Sequence, residues 1–273
     1  MAAVDNSSYS TVVAEHASDI AKLTGASVMG VYVVDSRLVE GGLSRLLGEE
    51  LAEILEEDAS GTIARLLERE GNRALEMLSA LCQQKNIPCE KRVEYGRPAE
   101  VLASLAPLYD MAVIGSYGSE ARFRTSLLGS TASEMLRLAT RPVMVVGDEY
   151  RVISHAIVGY DGSPQATRAL DTVIDLATAG QWKLTIAVVG NTERAYELAA
   201  QAKKFRGLDK VQHEAQVLRR TDPPYALLEL LDETGADMIA VGSRGESKLA
   251  RLLLGSTPEI LVREARVPVI VFK

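Results

Sequence analysis

Short runs of consecutive apolar residues alternate with amphipathic stretches along the chain. From residue 151 onward the apolar or alternating runs fall at 156–160, 183–189, 214–218, 238–241 and 269–272, and read as strands. Between them, 164–179, 192–205, 224–234 and 258–266 carry helical patterns. A run such as 238–241, Met-Ile-Ala-Val, has no polar alternation and suits a strand covered on both faces. Strands that alternate with helices predict right-handed βαβ crossovers and a parallel sheet. The earlier part of the chain follows the same plan, with strands at 28–34, 91–95, 111–114 and 143–146. Its first strand is clipped, because only residues 1–4 precede Asp5.

The two stretches are copies of one another. Asp110 to Gly118 (DMAVIGSYG) matches Asp237 to Gly245 (DMIAVGSRG), Leu127 to Thr131 (LLGST) matches Leu253 to Thr257, and Arg141 to Val146 matches Val267 to Phe272. Upstream, Val4-Asp-Asn-Ser7 matches Tyr160-Asp-Gly-Ser163. The unit is domain-sized, so this is a duplication and not a solenoid. Two α/β domains are expected, 1–148 and 149–273, joined near 147–151 by a link too short for independent tumbling. The first copy is longer by an insert at 36–60. There Leu46, Leu47, Leu51, Ile54 and Leu55 recur at helical spacing beside Glu49, Glu50, Glu53, Glu56, Glu57 and Asp58. That pattern reads as an acidic surface helix packed on its own domain, or as a docking helix for a protein partner.

Composition narrows the function. With 47% apolar and 25% charged residues, the 273-residue chain resembles a soluble globular protein with material for two modest cores. A net charge of −7 lacks the basic footprint of a nucleic-acid binder. No apolar run reaches the roughly 18 residues of a membrane span, and the start MAAVDNSSYS lacks the basic and apolar regions of a signal peptide. Two cysteines, Cys82 and Cys89, and three scattered histidines form no zinc framework, and a reducing cytoplasm is the simplest setting.

Candidate chemistry lies in the glycine turns. Gly242-Ser-Arg-Gly245 follows a strand, and nine residues later Gly255-Ser256-Thr257 opens a helix ahead of Pro258. Glycines let backbone N–H groups approach a ligand closely, and a helix N-terminus adds unpaired donors and positive partial charge. Together they suit a phosphate. In a doubly wound sheet ligands bind beyond the carboxyl ends of strands where the order reverses, so Asp161 after the first strand would face this cradle. The chain has no Gly-x4-Gly-Lys-Ser/Thr, no Gly-x-Gly-x2-Gly after a first strand and no nucleophile–base pair legible from spacing. Asp35 reads as a solvated loop carboxylate, His16 as a hydrogen-bonded structural histidine, and the two cysteines as ordinary thiols.

Asp-Gly-Ser after the first strand and Gly-x2-Gly-x9-Gly-Ser after the fourth resemble the ATP-binding universal stress proteins, and the pattern runs twice over nearly the whole chain. The resemblance implies five-stranded parallel sheets of order 3-2-1-4-5, flanked by helices and related by a pseudo-two-fold axis, with the last strands paired antiparallel across it. It also implies ATP, or ADP or AMP, with Mg²⁺ on the phosphates. In the second copy Asp161 would meet ribose and Val188 adenine, while Gly242, Arg244, Gly245, Gly255, Ser256 and Thr257 would surround the phosphates. In the first copy the corresponding set is Asp5, Val33, Gly115, Gly118, Gly129, Ser130 and Thr131. The first copy departs from the pattern: Asn6 replaces the glycine, ten residues separate Gly118 from Gly129, and Tyr117 stands where the second copy has Arg244. The second site is therefore expected to bind more tightly. The expected function is adenine-nucleotide binding with a regulatory output and at most slow hydrolysis. The alternatives are a nucleotide-free interaction module acting through the acidic insert, and a genuine nucleotide hydrolase or transferase. The expected assembly is an internal pseudo-dimer, with a further homodimer left open.

Overall fold

The computed structural model describes residues 1–39, 49–118, 128–243 and 256–273, with 49–60 described by backbone alone. The first half contributes β1 (Ala2–Ala3), α1 (Tyr9–Thr24), β2 (Val28–Asp35), α2 (Glu49–Gln84), β3 (Cys89–Gly96), α3 (Pro98–Leu105), β4 (Ala112–Gly115), α4 (Ser130–Leu138) and β5 (Val143–Val146). The second half contributes β6 (His155–Gly159), α5 (Pro164–Gly180), β7 (Lys183–Val189), α6 (Glu193–Ala202), β8 (His213–Leu218), α7 (Pro223–Thr234), β9 (Met238–Gly242), α8 (Ser256–Glu264) and β10 (Val269–Phe272). Local chemistry sets several boundaries. Ser163 caps α5 by accepting from Ala166 N at 3.1 Å, with Pro164 fixing the first turn. α1 and α7 stop where Gly25 (φ 66°) and Gly235 (φ 63°) take the left-handed conformation.

All ten strands form one sheet in the order β3-β2-β1-β4-β5-β10-β9-β6-β7-β8. Neighbours within each half are parallel, and the halves meet through the antiparallel pair β5 and β10. There Val269 faces Val145, Ile270 faces Met144 and Val271 faces Val143. Since residue 143 corresponds to 269, 144 to 270 and 145 to 271, the pairing is its own image under exchange of the halves. A local two-fold axis therefore passes through the Met144–Ile270 pair, the mark of an isologous contact. Both strands are wholly apolar and wholly buried, so each covers an edge the other would expose. The antiparallel seam also turns the carboxyl ends of β1–β5 and of β6–β10 toward opposite edges of the sheet.

Helices cover both faces. On one, α1, α2, α5 and α6 pack Val13, Leu75, Leu78, Leu170, Ile174 and Ala199 against the sheet; on the other, α3, α4, α7 and α8 bring Leu102, Met135, Leu227 and Leu261. Both cores run across the seam, Met144 and Ile270 joining the first, Val143, Val145, Val269 and Val271 the second.

The acidic insert does not form a separate helix in its described part. Residues 49–60 are the start of the 36-residue α2, which at about 1.5 Å per residue is roughly 54 Å long. No helix among the described residues is long and apolar enough to cross a membrane.

Candidate functional site

In the first half the order of strands reverses between β1 and β4, with α1 leaving on one face and α4 on the other. A cavity of about 490 Å³ opens at this point, within the roughly 300–1,000 Å³ of ordinary ligand pockets. Asp5, Val33, Gly115, Gly118, Gly129, Ser130 and Thr131 all line it.

Asp5 is firmly held for a residue so near the start of the sequence. Its Oδ1 accepts from Ser7 N at 2.8 Å and from the Ser7 hydroxyl. Ser10 Oγ lies 2.6 Å from Asp5 N, 2.7 Å from its carbonyl oxygen and 2.9 Å from Oδ1. Oδ2 lies 3.1 Å from the point a Cβ on Gly118 would occupy, so the carboxylate reaches across the crevice to the glycine turn. That turn tolerates no side chains. A Cβ at Gly115 would stand 2.8 Å from Tyr9 Cβ, and one at Gly129 would stand 2.9 Å from the Ser116 carbonyl oxygen. Gly129 caps α4 and donates to Ser116 O at 3.0 Å, which draws the helix start against the turn. The first-turn N–H groups that follow, at Ser130 and Thr131, have no acceptor within the helix. Tyr117 packs on Tyr9, with ring centroids 5.9 Å apart at 46°.

The second half repeats the framework. Asp161 Oδ1 accepts from Ser163 N at 2.9 Å, across Gly162 at φ 80°. Ser243 N donates to Phe272 O at 2.7 Å, as Ser116 N does to Val146 O at 2.8 Å. Gly242 sits under the first turn of α5, where a Cβ would meet Gln165 Cβ at 2.9 Å and Ala166 N at 3.0 Å. Ser256 and Thr257 open α8. Arg244, Gly245 and Gly255 lie outside the described residues, as do Arg122 and Arg124.

Strand register corrects one pairing. Ala2 is level with Gly30, and Val158 with Ile186. The same offset of 156 that relates Asp5 to Asp161 thus relates Val33 to Val189 and Tyr32 to Val188. The two positions expected to meet adenine are not equivalent, and neighbouring residues of a strand point to opposite faces. Val188 is buried in the core beside α5 and α6, whereas Val189, like Val33, packs toward the other face.

Three further expectations change. Asp35 is not a solvated loop carboxylate: it ends β2, lines the cavity, and is gripped by Arg37, whose Nε lies 2.9 Å from Oδ1 and whose Nη2 lies 2.5 Å from Oδ2. Its side chain is 14% exposed. His16 is 1% exposed and its Nε2 has no hydrogen-bond partner, so it is not a fully satisfied histidine. Its ring packs 5.0 Å from that of Tyr150, and burial pulls its pKa down to about 4. The two thiols are neighbours, since Cys82 and Cys89 share a side-chain hydrogen bond, and burial pushes Cys82 up to about 12, far from a reactive thiolate. The sequence reading also missed Tyr32 and Arg37 as cavity-lining residues. The one signal available for Tyr32 was an aromatic ring in an otherwise aliphatic strand.

Known proteins give a consistent picture. The universal stress protein family matches residues 1–147 and again 153–273. A universal stress protein of Synechocystis sp. is 23% identical over 282 residues, covering 98% of this chain and 97% of its own length. One from Mycobacterium tuberculosis is 29% identical over 218 residues, 70% of this chain and 71% of that protein. The crystal structure of a universal stress protein from Archaeoglobus fulgidus superposes with a TM-score of 0.76 at 22% identity, covering 100% of this chain and 97% of the other. With both halves matched and the fold shared end to end, the chain belongs to the universal stress protein family, as a tandem of two of its domains.

Proposed function

We propose that the protein is a regulatory adenine-nucleotide binder, with one nucleotide module in 1–148 and a second in 149–273. The observation that carries this reading is the convergence, in one cavity, of a tethered carboxylate, a strand end and a side-chain-free turn facing a helix N-terminus. Asp5 accepts from ribose hydroxyls, the backbone at Val33 meets the adenine edge, and the N–H groups at Gly118, Ser130 and Thr131 hold phosphate oxygens. In the second module Asp161, the strand end at 188–189, Gly242, Ser256 and Thr257 take the same parts, together with Arg244, Gly245 and Gly255. No group of three His, Cys, Asp or Glu among the described residues is arranged to hold a metal ion. Mg²⁺ would therefore arrive with the phosphates. The described residues bind and orient the nucleotide, and none is placed as a base for water, so hydrolysis is slow and the output is conformational. Calorimetry on protein freed of nucleotide tests this: ATP with Mg²⁺ should give a saturable heat that GTP does not, and no heat with ATP would end the proposal. Mass spectrometry of small molecules released from gently purified protein identifies the resident ligand independently.

A further inference from the structure

Tyr32 joins two parts of the first half that otherwise have no reason to move together. Its ring, 5% exposed, lies under α2 at Gly71. A Cβ built on Gly71 would stand 2.2 Å from Tyr32 Cδ1 and 2.5 Å from Cε1 and Cγ, so α2 reaches β2 this closely only because residue 71 has no side chain. At its other end the hydroxyl hydrogen-bonds the side chain of Asn6, in the field of the Asp5 and Glu70 carboxylates. Asn6 lies between Asp5 and Ser7, inside the turn that aims Asp5 across the crevice. Both Tyr32 and Leu67, one helical turn before Gly71, line the cavity.

The second half lacks this arrangement. By the offset of 156, Tyr32 corresponds to Val188 and Asn6 to Gly162. Valine has no hydroxyl and glycine no amide side chain. There the turn is at φ 80° and is covered instead by Leu198, whose Cδ2 would lie 2.7 Å from a Cβ on Gly162. Hydroxyl and amide thus occur together in one half and are missing together in the other.

We propose that Tyr32 is a positioning residue of the first-half site: wedged beneath Gly71, it holds Asn6 and through it sets the Asp5 carboxylate toward the ribose hydroxyls of the bound nucleotide. The inference rests on the nucleotide reading of this cavity. It makes the seating of α2, acidic segment included, and the ribose contact parts of one mechanical unit.

The test uses the full chain carrying Asp161→Ala, so that the first site is read alone, with Tyr32→Phe, Asn6→Gly and the double variant in that background. Calorimetry is run with ATP and with 2′,3′-dideoxy-ATP, which lacks the hydroxyls Asp5 would meet. Each single variant is expected to weaken ATP roughly two- to tenfold, the worth of one hydrogen bond. The double variant should be no weaker than the worse single one, because both act through the same link. Binding of the dideoxy nucleotide should be unchanged, so the preference for ATP shrinks. A residue that merely fills the core would lower both nucleotides alike. Equal losses for the two nucleotides, or losses that add in the double variant, overturn the inference while leaving the nucleotide reading intact. If the Asp161→Ala protein binds no ATP, the nucleotide reading of this cavity falls and the inference with it.

Discussion

Acidification should unfold this protein partly through one side chain, His16. Its ring is buried in α1 against Tyr150, with Glu15, Asp19 and Lys85 as the charged groups around it, and desolvation lowers its pKa from 6.5 to about 4. Since the folded value lies below the unfolded one, the unfolded chain takes up the proton first. The stability contributed by neutral His16 is complete above about pH 6.5 and is lost as the pH falls toward 4. The full gap corresponds to about 3 kcal/mol at roughly 1.4 kcal/mol per unit, of which about 2.5 kcal/mol is gone by pH 4.5. That is a large part of a typical folding free energy. Carboxylates titrate in the same range, so the measurement is a difference: urea unfolding followed by circular dichroism at pH 7.5 to 4.5, wild type against His16→Leu. The variant removes the titration and the unpaired Nε2 together, and should be as stable as wild type or more so at pH 7.5. On acidification the wild type should lose about 2.5 kcal/mol more than the variant. Two curves running parallel to within about 0.5 kcal/mol would show that His16 is not held neutral by its surroundings.

Three other outcomes follow from the site and the seam. Gly129→Val places a branched side chain against the backbone at Ser116 and Tyr117, and should cost the first site at least tenfold in ATP affinity by calorimetry; an unchanged affinity would reduce the turn to scaffold. Asp5→Ala and Asp161→Ala should remove separate binding events, the tighter one lost with Asp161, because Arg244 adds a charge-assisted hydrogen bond of about 1.5–3 kcal/mol; loss of the tighter event with Asp5→Ala reverses that ranking. Met144→Lys puts an unpaired ammonium on the local two-fold axis, where Met144 and Ile270 are fully buried, and should lower unfolding free energy by more than about 3 kcal/mol; a shift under about 1 kcal/mol in urea would mean the seam opens readily to water.

The sequence made the fold legible wherever a residue had to be apolar or had to be small. Runs such as Met238 to Val241 have one use in an α/β chain, and they marked the strands to within a residue or two. Glycine turns at 115–118 and 242–245 stood out because they recur at fixed distance from Ser-Thr pairs. The same all-apolar character hid the register. In Val28–Asp35 and Lys183–Val189 no polar alternation shows which residue faces which side, so Val33 and Val188 read as equivalent when they are one position out of step. Long-range packing was hidden for a different reason. Nothing local in Gly71 announces that its missing side chain makes room for Tyr32, nor in Ala-Glu-His-Ala that the imidazole is sealed beneath Tyr150, 134 positions along the chain.

The seam between β5 and β10 has an evolutionary and regulatory consequence. Two identical subunits meeting across such an axis would be bound to carry identical sites, and every substitution would appear twice. Covalent fusion removes that constraint while keeping the contact. The halves stay together at any dilution, so the ratio of the two sites is fixed at one to one, yet each can drift by itself. Asn6 with Tyr32 on one side and Gly162 with Val188 on the other are the visible result. A single molecule can in this way register two concentration ranges of one metabolite, or two different metabolites, on opposite edges of the same sheet.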